Sequence, residues 1–259
     1  MNNLNSMIRV ELHKAIRSKM PLYTALASLL MPLGMGFLIF AAKNPDISQK
    51  LGLVGAKANL VSYAGTNWSS YMSLYAEIIA AAGCILFTLI ISWVFGREFV
   101  DGTLKDMWAV PVPRSVILAA KYVTAAIWSA AMAVVIIIAG LLMGVALRLP
   151  QGSVDILFKG GLVLLIGGLM IIVAVLPFAF FASAGRGYLL PIGIAIMVMI
   201  LGNVLNVAGW GEYYPWDIPA LYAQSQAALT SASYWIVAFT GLIGALGTYA
   251  WWKFADQSK

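Results

Sequence analysis

The sequence predicts an all-α, polytopic membrane protein with six transmembrane helices. Of its 259 residues, 62% are hydrophobic and only 10% are charged, and the mean hydropathy is +0.89. Soluble domains are nearer a quarter charged. Several runs also reach the roughly 20 apolar residues that cross a bilayer. We therefore interpret residues 1–259 as a single transmembrane domain, with no room for a separate soluble one.

Residues 1–20 predict an amphipathic helix rather than a cleavable signal peptide, because they lack a compact apolar core. Arg9, His13 and Arg17 follow each other at i, i+4 and i+8 on a basic face, while Glu11 falls near the apolar side. Such a helix lies in the headgroup layer; the alternative is a solvated tail. The apolar positions at helical spacing are Leu4, Met7, Ile8, Leu12, Ala15 and Ile16.

Six apolar runs predict the spans that follow this helix. Pro177 lies within the fourth run and predicts a kink. We expect residues 43–71 to form a loop. The segment 209–233 is dense in aromatic residues, which indicates an interfacial belt or a re-entrant outer element. The predicted spans are residues 21–42, 72–96, 116–147, 160–184, 189–208 and 234–252.

Charge predicts the orientation of the spans. With both termini inside the cell, the inner segments hold eleven of the 16 lysines and arginines and the outer loops hold five. Positive residues are retained on the cytoplasmic side of a membrane protein. The net charge of +6 is explained by this bias, so it does not predict nucleic-acid binding.

The sequence has few of the residues and none of the common motifs that carry out enzyme chemistry. The chain has one histidine and one cysteine, Cys84, which lies in an apolar run. No HExxH, CxxC or GxSxG pattern occurs, so a metal site or a serine hydrolase has little support. There is also no P-loop for ATP. We therefore predict that the chain is not an enzyme and binds no metal or cofactor.

Ionisable residues within the spans would mark an ion path. Only Glu77 and Lys121 qualify, and both lie near span ends, where side chains can reach the interface. A secondary transporter or ion channel, which needs more such groups or paired broken helices, stays as the alternative function. Asn203 and Asn206 in the fifth span form either a hydrogen bond between helices or part of a substrate path.

Small residues recur in two spans. Gly140 and Gly144 form a GxxxG pattern in the third span, and Gly241, Gly244 and Gly247 recur every three residues in the sixth. Glycines let helices approach closely. The glycine pattern is explained either by helix packing within one chain or by dimerisation of two chains.

The most polar interruption on the predicted inner side is residues 97–114, where six of eighteen residues are charged. Gly102 and Thr103 are able to start a short helix, with Asp106 completing a weak capping box, and Pro111 would end it. A short helix held between two spans is a lever, because pushing it tilts both. The alternative is an ordinary charged loop.

This stretch, GREFVDGTLKDMWAVPVPRSVILAAKY, resembles the signature of ABC-2 type transporter permeases. The later segment GWGEYYPWDIPALY resembles the outer segment before the last span of such permeases. With the amphipathic start and six spans, the resemblance covers nearly the whole chain. The residues that match the central motif are Glu98, Gly102, Thr103, Pro111, Arg114 and Lys121.

The resemblance implies a permease subunit of an ATP-binding cassette exporter in a bacterial cell membrane. It implies a second permease copy, identical or related, and separate ATPase subunits that bind ATP and Mg²⁺. Arg9, His13 and Arg17 would lie on its connecting helix. Likeness to bacitracin-resistance and lantibiotic-immunity permeases suggests an antimicrobial peptide, a lipid or another amphiphile as substrate. The residues expected to couple to the ATPase are Arg97, Glu98, Asp101, Gly102, Thr103, Lys105, Pro111 and Arg114.

Overall fold

The computed structural model describes residues 2–44, 67–225 and 229–254, together with positions 47, 50, 52 and 65. Within these residues the chain forms helices and no strand, which confirms the all-α prediction. Most of the predicted loop at residues 43–71 lies outside the described part. The helices are α1 (Asn2–Arg17), α2 (Met20–Lys43), α3 (Trp68–Val100), α4 (Leu104–Ala109), α5 (Arg114–Ala146), α6 (Val154–Ala174), α7 (Phe178–Ala184), α8 (Leu189–Val207), α9 (Ile218–Gln224) and α10 (Ser231–Phe254).

Six segments of the described chain are long and apolar enough to cross a membrane. They are α2, α3, α5, α6 together with α7, α8 and α10, and each overlaps a predicted span. The second and fourth begin earlier than predicted, at Trp68 and Val154, whereas the third is about as long as predicted. Both α3 and α5 have 33 residues and are therefore about 50 Å long, which exceeds the apolar thickness of a bilayer.

Helix α3 is the centre of the fold. In its most apolar stretch 72% of residues are buried, against 22–50% in the other spans. Helices α2 and α5 to α9 pack around it. The other spans turn much of their apolar surface outwards, as lipid-facing helices do. The sequence does not reveal this central position, because the apolar run of α3 is no more hydrophobic than those of α5 and α6.

The predicted GxxxG pattern packs within the chain. A Cβ on Gly140 would overlap the ring of Tyr75, and one on Gly144 would overlap the ring of Trp68. The Tyr75 hydroxyl donates to the carbonyl of Ile136 at 2.7 Å. The glycines of α5 thus let the aromatic side chains of α3 reach the α5 backbone.

Pro177 breaks the fourth span. It has no N–H, so the Val173 carbonyl accepts from Leu176 instead, and Phe178 donates to Val175. The Ala174 carbonyl is left without a helical donor, and the indole of Trp216 donates to it at 2.9 Å. The predicted kink is therefore a full interruption between α6 and α7.

The predicted outer segment folds back onto the spans. After a single 3₁₀ turn (Gly211–Tyr213), α9 packs against α3 and α6. Ile218 is fully buried and Tyr222 is 3% exposed, whereas Trp210 is 65% exposed. The described part of this segment therefore combines a re-entrant helix with exposed aromatic side chains that suit a membrane interface.

Candidate functional site

The loop predicted at residues 97–114 consists of the end of α3, a tight turn and the separate helix α4. Gly102 adopts φ of +69°, a left-handed conformation that favours glycine. The Thr103 amide then donates to the Glu98 carbonyl at 3.0 Å, which is the pattern of a Schellman C-cap. Gly102 thus ends α3 sharply and reverses the chain into α4.

One local prediction is wrong. Thr103 occupies the N-cap position of α4, but its side chain makes no capping hydrogen bond, so the capping box with Asp106 does not form. The turn already uses the Thr103 amide to close α3. The end of α4 at Ala109, ahead of Pro111, is as predicted.

Helix α4 presents its charges outwards. Lys105 and Asp106 are exposed, while Met107 is 8% exposed and faces the core. The Arg114 guanidinium lies 4.6 Å from the ring centroid of Trp108 and donates to the Trp252 carbonyl at 2.9 Å. Arg114 therefore connects α4 with the start of α5 and the end of α10.

Where α3 approaches its end, four charged side chains from α1, α3 and α5 form an ionic cluster. The Lys121 ammonium is fully buried and donates to Glu98 at 2.8 Å, to Glu11 at 3.2 Å and to the Val94 carbonyl at 2.8 Å. Lys14 donates to Glu11 at 2.7 Å and to Glu98 at 3.3 Å. The two acids and two bases balance in charge.

The ionic cluster attaches the first helix to the spans. Glu11 and Glu98 are each 4% exposed, so either carboxylate would be costly without its lysines. Burial alone would lower the pKa of Lys14, but the charges and hydrogen bonds of Glu11 and Glu98 outweigh it and raise that pKa. The four side chains therefore hold α1 against α3 and α5 through paired, opposite charges.

Arg97 adds a second attachment. Its Nε bonds the Asp101 carboxylate at 3.1 Å, and its Nη1 donates to the Lys14 carbonyl at 3.3 Å in the last turn of α1. Its guanidinium also lies 4.9 Å from the ring centroid of Trp93. The carbonyls at a helix end lack helical partners, so this arginine satisfies one of them.

The predicted ATPase-coupling residues differ in exposure, and Arg97 is half-buried between α1 and α3. Glu98 lies inside the ionic cluster, so reversing its charge would disturb the fold as well as any external contact. The predicted residues with exposed positions are Asp101, Gly102, Thr103, Lys105, Pro111 and Arg114. The basic residues Arg9, His13 and Arg17 are exposed on α1, on a face away from buried Glu11.

Sequence reasoning missed most of the ionic cluster. Lys121 was expected to reach the interface, yet its side chain is fully buried because two carboxylates meet it. Glu11 on the apolar side of α1 was the available signal, since Met7, Glu11 and Ala15 form the buried stripe. Ile16, predicted on the apolar face, is 73% exposed.

Asn203 and Asn206 lie on α8, apart from the ionic cluster. The Asn203 side chain is exposed and donates to the Met199 carbonyl of its own helix at 2.9 Å. Asn206 is half-buried near Gly211. Neither lines any of four cavities that lie among the described residues. Those residues also contain no cluster of three or more potential metal ligands from His, Cys, Asp and Glu.

Comparison with known proteins shows the family of this chain. The model of the ABC-2 family transporter proteins matches residues 7–202, which include the ionic cluster and α4. The chain is also similar to the bacitracin transport permease protein BCRB of Bacillus licheniformis, with 24% identity over 182 residues that cover 69% of this chain and 88% of that protein. The chain therefore belongs to the ABC-2 family of transporter proteins, and it is a multi-pass permease of the cell membrane.

Proposed function

We propose that this permease is the membrane subunit of an ATP-driven exporter, and that a separate ATPase subunit docks on α4 at the cytoplasmic face. The observation that carries this proposal is the position of α4. It is a six-residue helix with exposed charges, joined by short turns to the two 33-residue helices α3 and α5. Such a helix offers a charged contact and transmits displacement to both spans.

The contacts around α4 explain how force would spread. A push on α4 moves the Trp108–Arg114 pair, and through the Trp252 carbonyl it moves the end of α10. The ends of α3 and α5 are joined through Glu98 and Lys121, which also hold α1. The inner ends of four helices therefore shift together, while their apolar outer faces slide in lipid.

The substrate we propose is an amphiphile, such as an antimicrobial peptide or a lipid, moved outwards along a path between two permease copies. The similarity to the bacitracin transport permease of Bacillus licheniformis supports this class. ATP and Mg²⁺ would be bound by the partner alone.

Charge reversal on α4 tests the docking proposal. We expect Lys105→Glu with Asp106→Lys to abolish co-purification of the ATPase and the resistance of cells to bacitracin, used here as the probe. Both side chains are exposed, so the folded permease should still reach the membrane. Arg148→Glu, at the opposite end of α5, is the control. Full ATPase binding by the α4 variant would overturn the proposal.

A further inference from the structure

A groove of about 560 Å³ lies where α3 and α6 begin, at the end of the molecule opposite α4. Its inner walls are apolar, with Met72 from α3, Ile156, Val163 and Ile166 from α6, and Ala223 from α9. Because α9 folds back beside the spans, the groove is walled on three sides. A lipid lying on a single exposed helix face would have no such enclosure.

The mouth of the groove carries both signs of charge. Lys159 and Asp155 are paired at 2.9 Å across one turn of α6, and their side chains are 73% and 68% exposed. Exposed pairs of this kind contribute at most about 1 kcal/mol, so a ligand with its own charges can replace them. Ser69 and Ser73 add hydroxyl groups on the α3 side.

The depth of the groove suits one extended apolar chain. Asp155 and Ile166 are eleven residues apart, which corresponds to ~16 Å along the α6 axis. A separate small void of about 10 Å³ lies beside Gly167 and Gly168 and shares Val163 and Ala223 with the groove. Within the described part of the chain, all residues that line the groove belong to α3, α6 and α9.

We infer that this groove binds a single-chain amphiphile whose head is zwitterionic. The apolar chain lies against Val163 and Ile166, the cationic part of the head pairs with Asp155, and the anionic part pairs with Lys159. The site opens at the interfacial depth of the membrane, where the head stays hydrated. Binding needs no ATPase partner, so this inference is independent of the proposed transport function.

Photo-crosslinking of the permease in lipid nanodiscs tests the inference. The probe is a lysophosphatidylethanolamine with a diazirine in its acyl chain, and labelled peptides are mapped by mass spectrometry. We expect labels on α6 and α9 at residues that line the groove. Ile166→Trp fills the groove and should reduce labelling at least about fivefold, which corresponds to ~1 kcal/mol of binding free energy.

Leu165→Trp is the matched control, because Leu165 is the neighbouring residue with similar exposure, 43% against 36%, but does not line the groove. Ser73→Phe obstructs the opposite wall and should act like Ile166→Trp. Equal labelling in the Ile166 and Leu165 variants would mean nonspecific contact with bulk lipid and would overturn the site.

Competition experiments test the proposed zwitterionic head group of the ligand. Unlabelled lysophosphatidylethanolamine should displace the probe at a concentration at which a monoacylglycerol of the same chain length does not. Asp155→Asn with Lys159→Gln should remove this difference while leaving the apolar contacts. Equal competition by the two lipids against the unmodified permease would refute the assigned head chemistry.

Discussion

The burial of Lys121 requires that its charge be compensated by fixed partners. Its ammonium has no exposure, and an unpaired charge in that position would cost several kcal/mol. Glu11 and Glu98 each approach it from a different helix, and the Val94 carbonyl accepts a third hydrogen bond. A lysine that the sequence places at a span end is thus a structural junction between α1, α3 and α5.

Removing that lysine should destabilise the permease. We expect Lys121→Met to lower the free energy of unfolding by about 3–5 kcal/mol, because two buried carboxylates lose their main partner. Thermal unfolding in detergent measures the loss.

Lys105→Met, which alters an exposed lysine, is the control and should have little effect. Replacing Glu11 and Glu98 by Gln alongside Lys121→Met should recover much of the loss; equal midpoints for the two single variants would contradict this account.

Asp217 gives the permease a pH-dependent stability. It lies between α8 and α9, one of its carboxylate oxygens is buried without a hydrogen-bond partner among the described residues, and burial raises its pKa from 3.8 to about 6. The folded state therefore keeps a proton that the unfolded state releases between these values. Stability should fall as the pH rises from about 4 to about 6.

Asp217→Asn should remove this slope. Because the residue is half-buried, solvent screening reduces the expected gain at pH 7.5 to about 1 kcal/mol. At pH below about 4 the variant and the unmodified chain should unfold alike. Unfolding midpoints measured across this range are compared with those of Glu212→Gln, which changes an exposed acid nearby. A stabilising effect that persists undiminished below pH 4 would exclude titration of Asp217 as its cause.

At the scale of elements, apolar run length and helix-breaking residues identified nearly all of the described fold. The six spans, the amphipathic start, the short helix ahead of Pro111 and the break at Pro177 follow from local chemistry. Which helices pack against each other does not follow from local chemistry, because it depends on contacts between residues far apart in the chain. The pairing of Gly140 with Tyr75 shows this, since a glycine pattern indicates close approach but not the partner.

The same limit applies to the candidate site. The loop at residues 97–114 is recognisable from its charge density and its glycine and prolines. The ionic cluster is not recognisable from the sequence, because Glu11, Glu98 and Lys121 are separated by up to 110 positions. Each looks like an ordinary interfacial charge until the helices are packed together.

The break between α6 and α7 predicts a specific role for Trp216. Trp216→Phe keeps an aromatic side chain but removes the indole N–H that donates to the Ala174 carbonyl. This leaves a buried acceptor unpaired. We expect a loss of about 1–3 kcal/mol of stability. Trp235→Phe, at a position that is 63% exposed, serves as the control in the same thermal unfolding measurement. A loss no larger than that of the control would show that the bond contributes nothing.

The whole molecule combines one highly connected end with largely lipid-facing spans. At the end that carries α4, Arg97, Arg114 and the ionic cluster connect α1, α3, α4, α5 and α10. At the other end, α9 closes against α3 and α6 and forms one wall of the amphiphile groove. Most of the length of α3 therefore lies between the proposed ATPase contact on α4 and the proposed amphiphile groove.

Site-directed crosslinking tests whether a separate ATPase contacts α4, as we propose. A photoreactive thiol reagent attached at Lys105→Cys, in cells that express the complete transporter, should capture a protein that mass spectrometry identifies as a P-loop ATPase. The same reagent at Arg148→Cys should not. Capture of no ATPase at Lys105, or equal capture at both positions, would contradict the account.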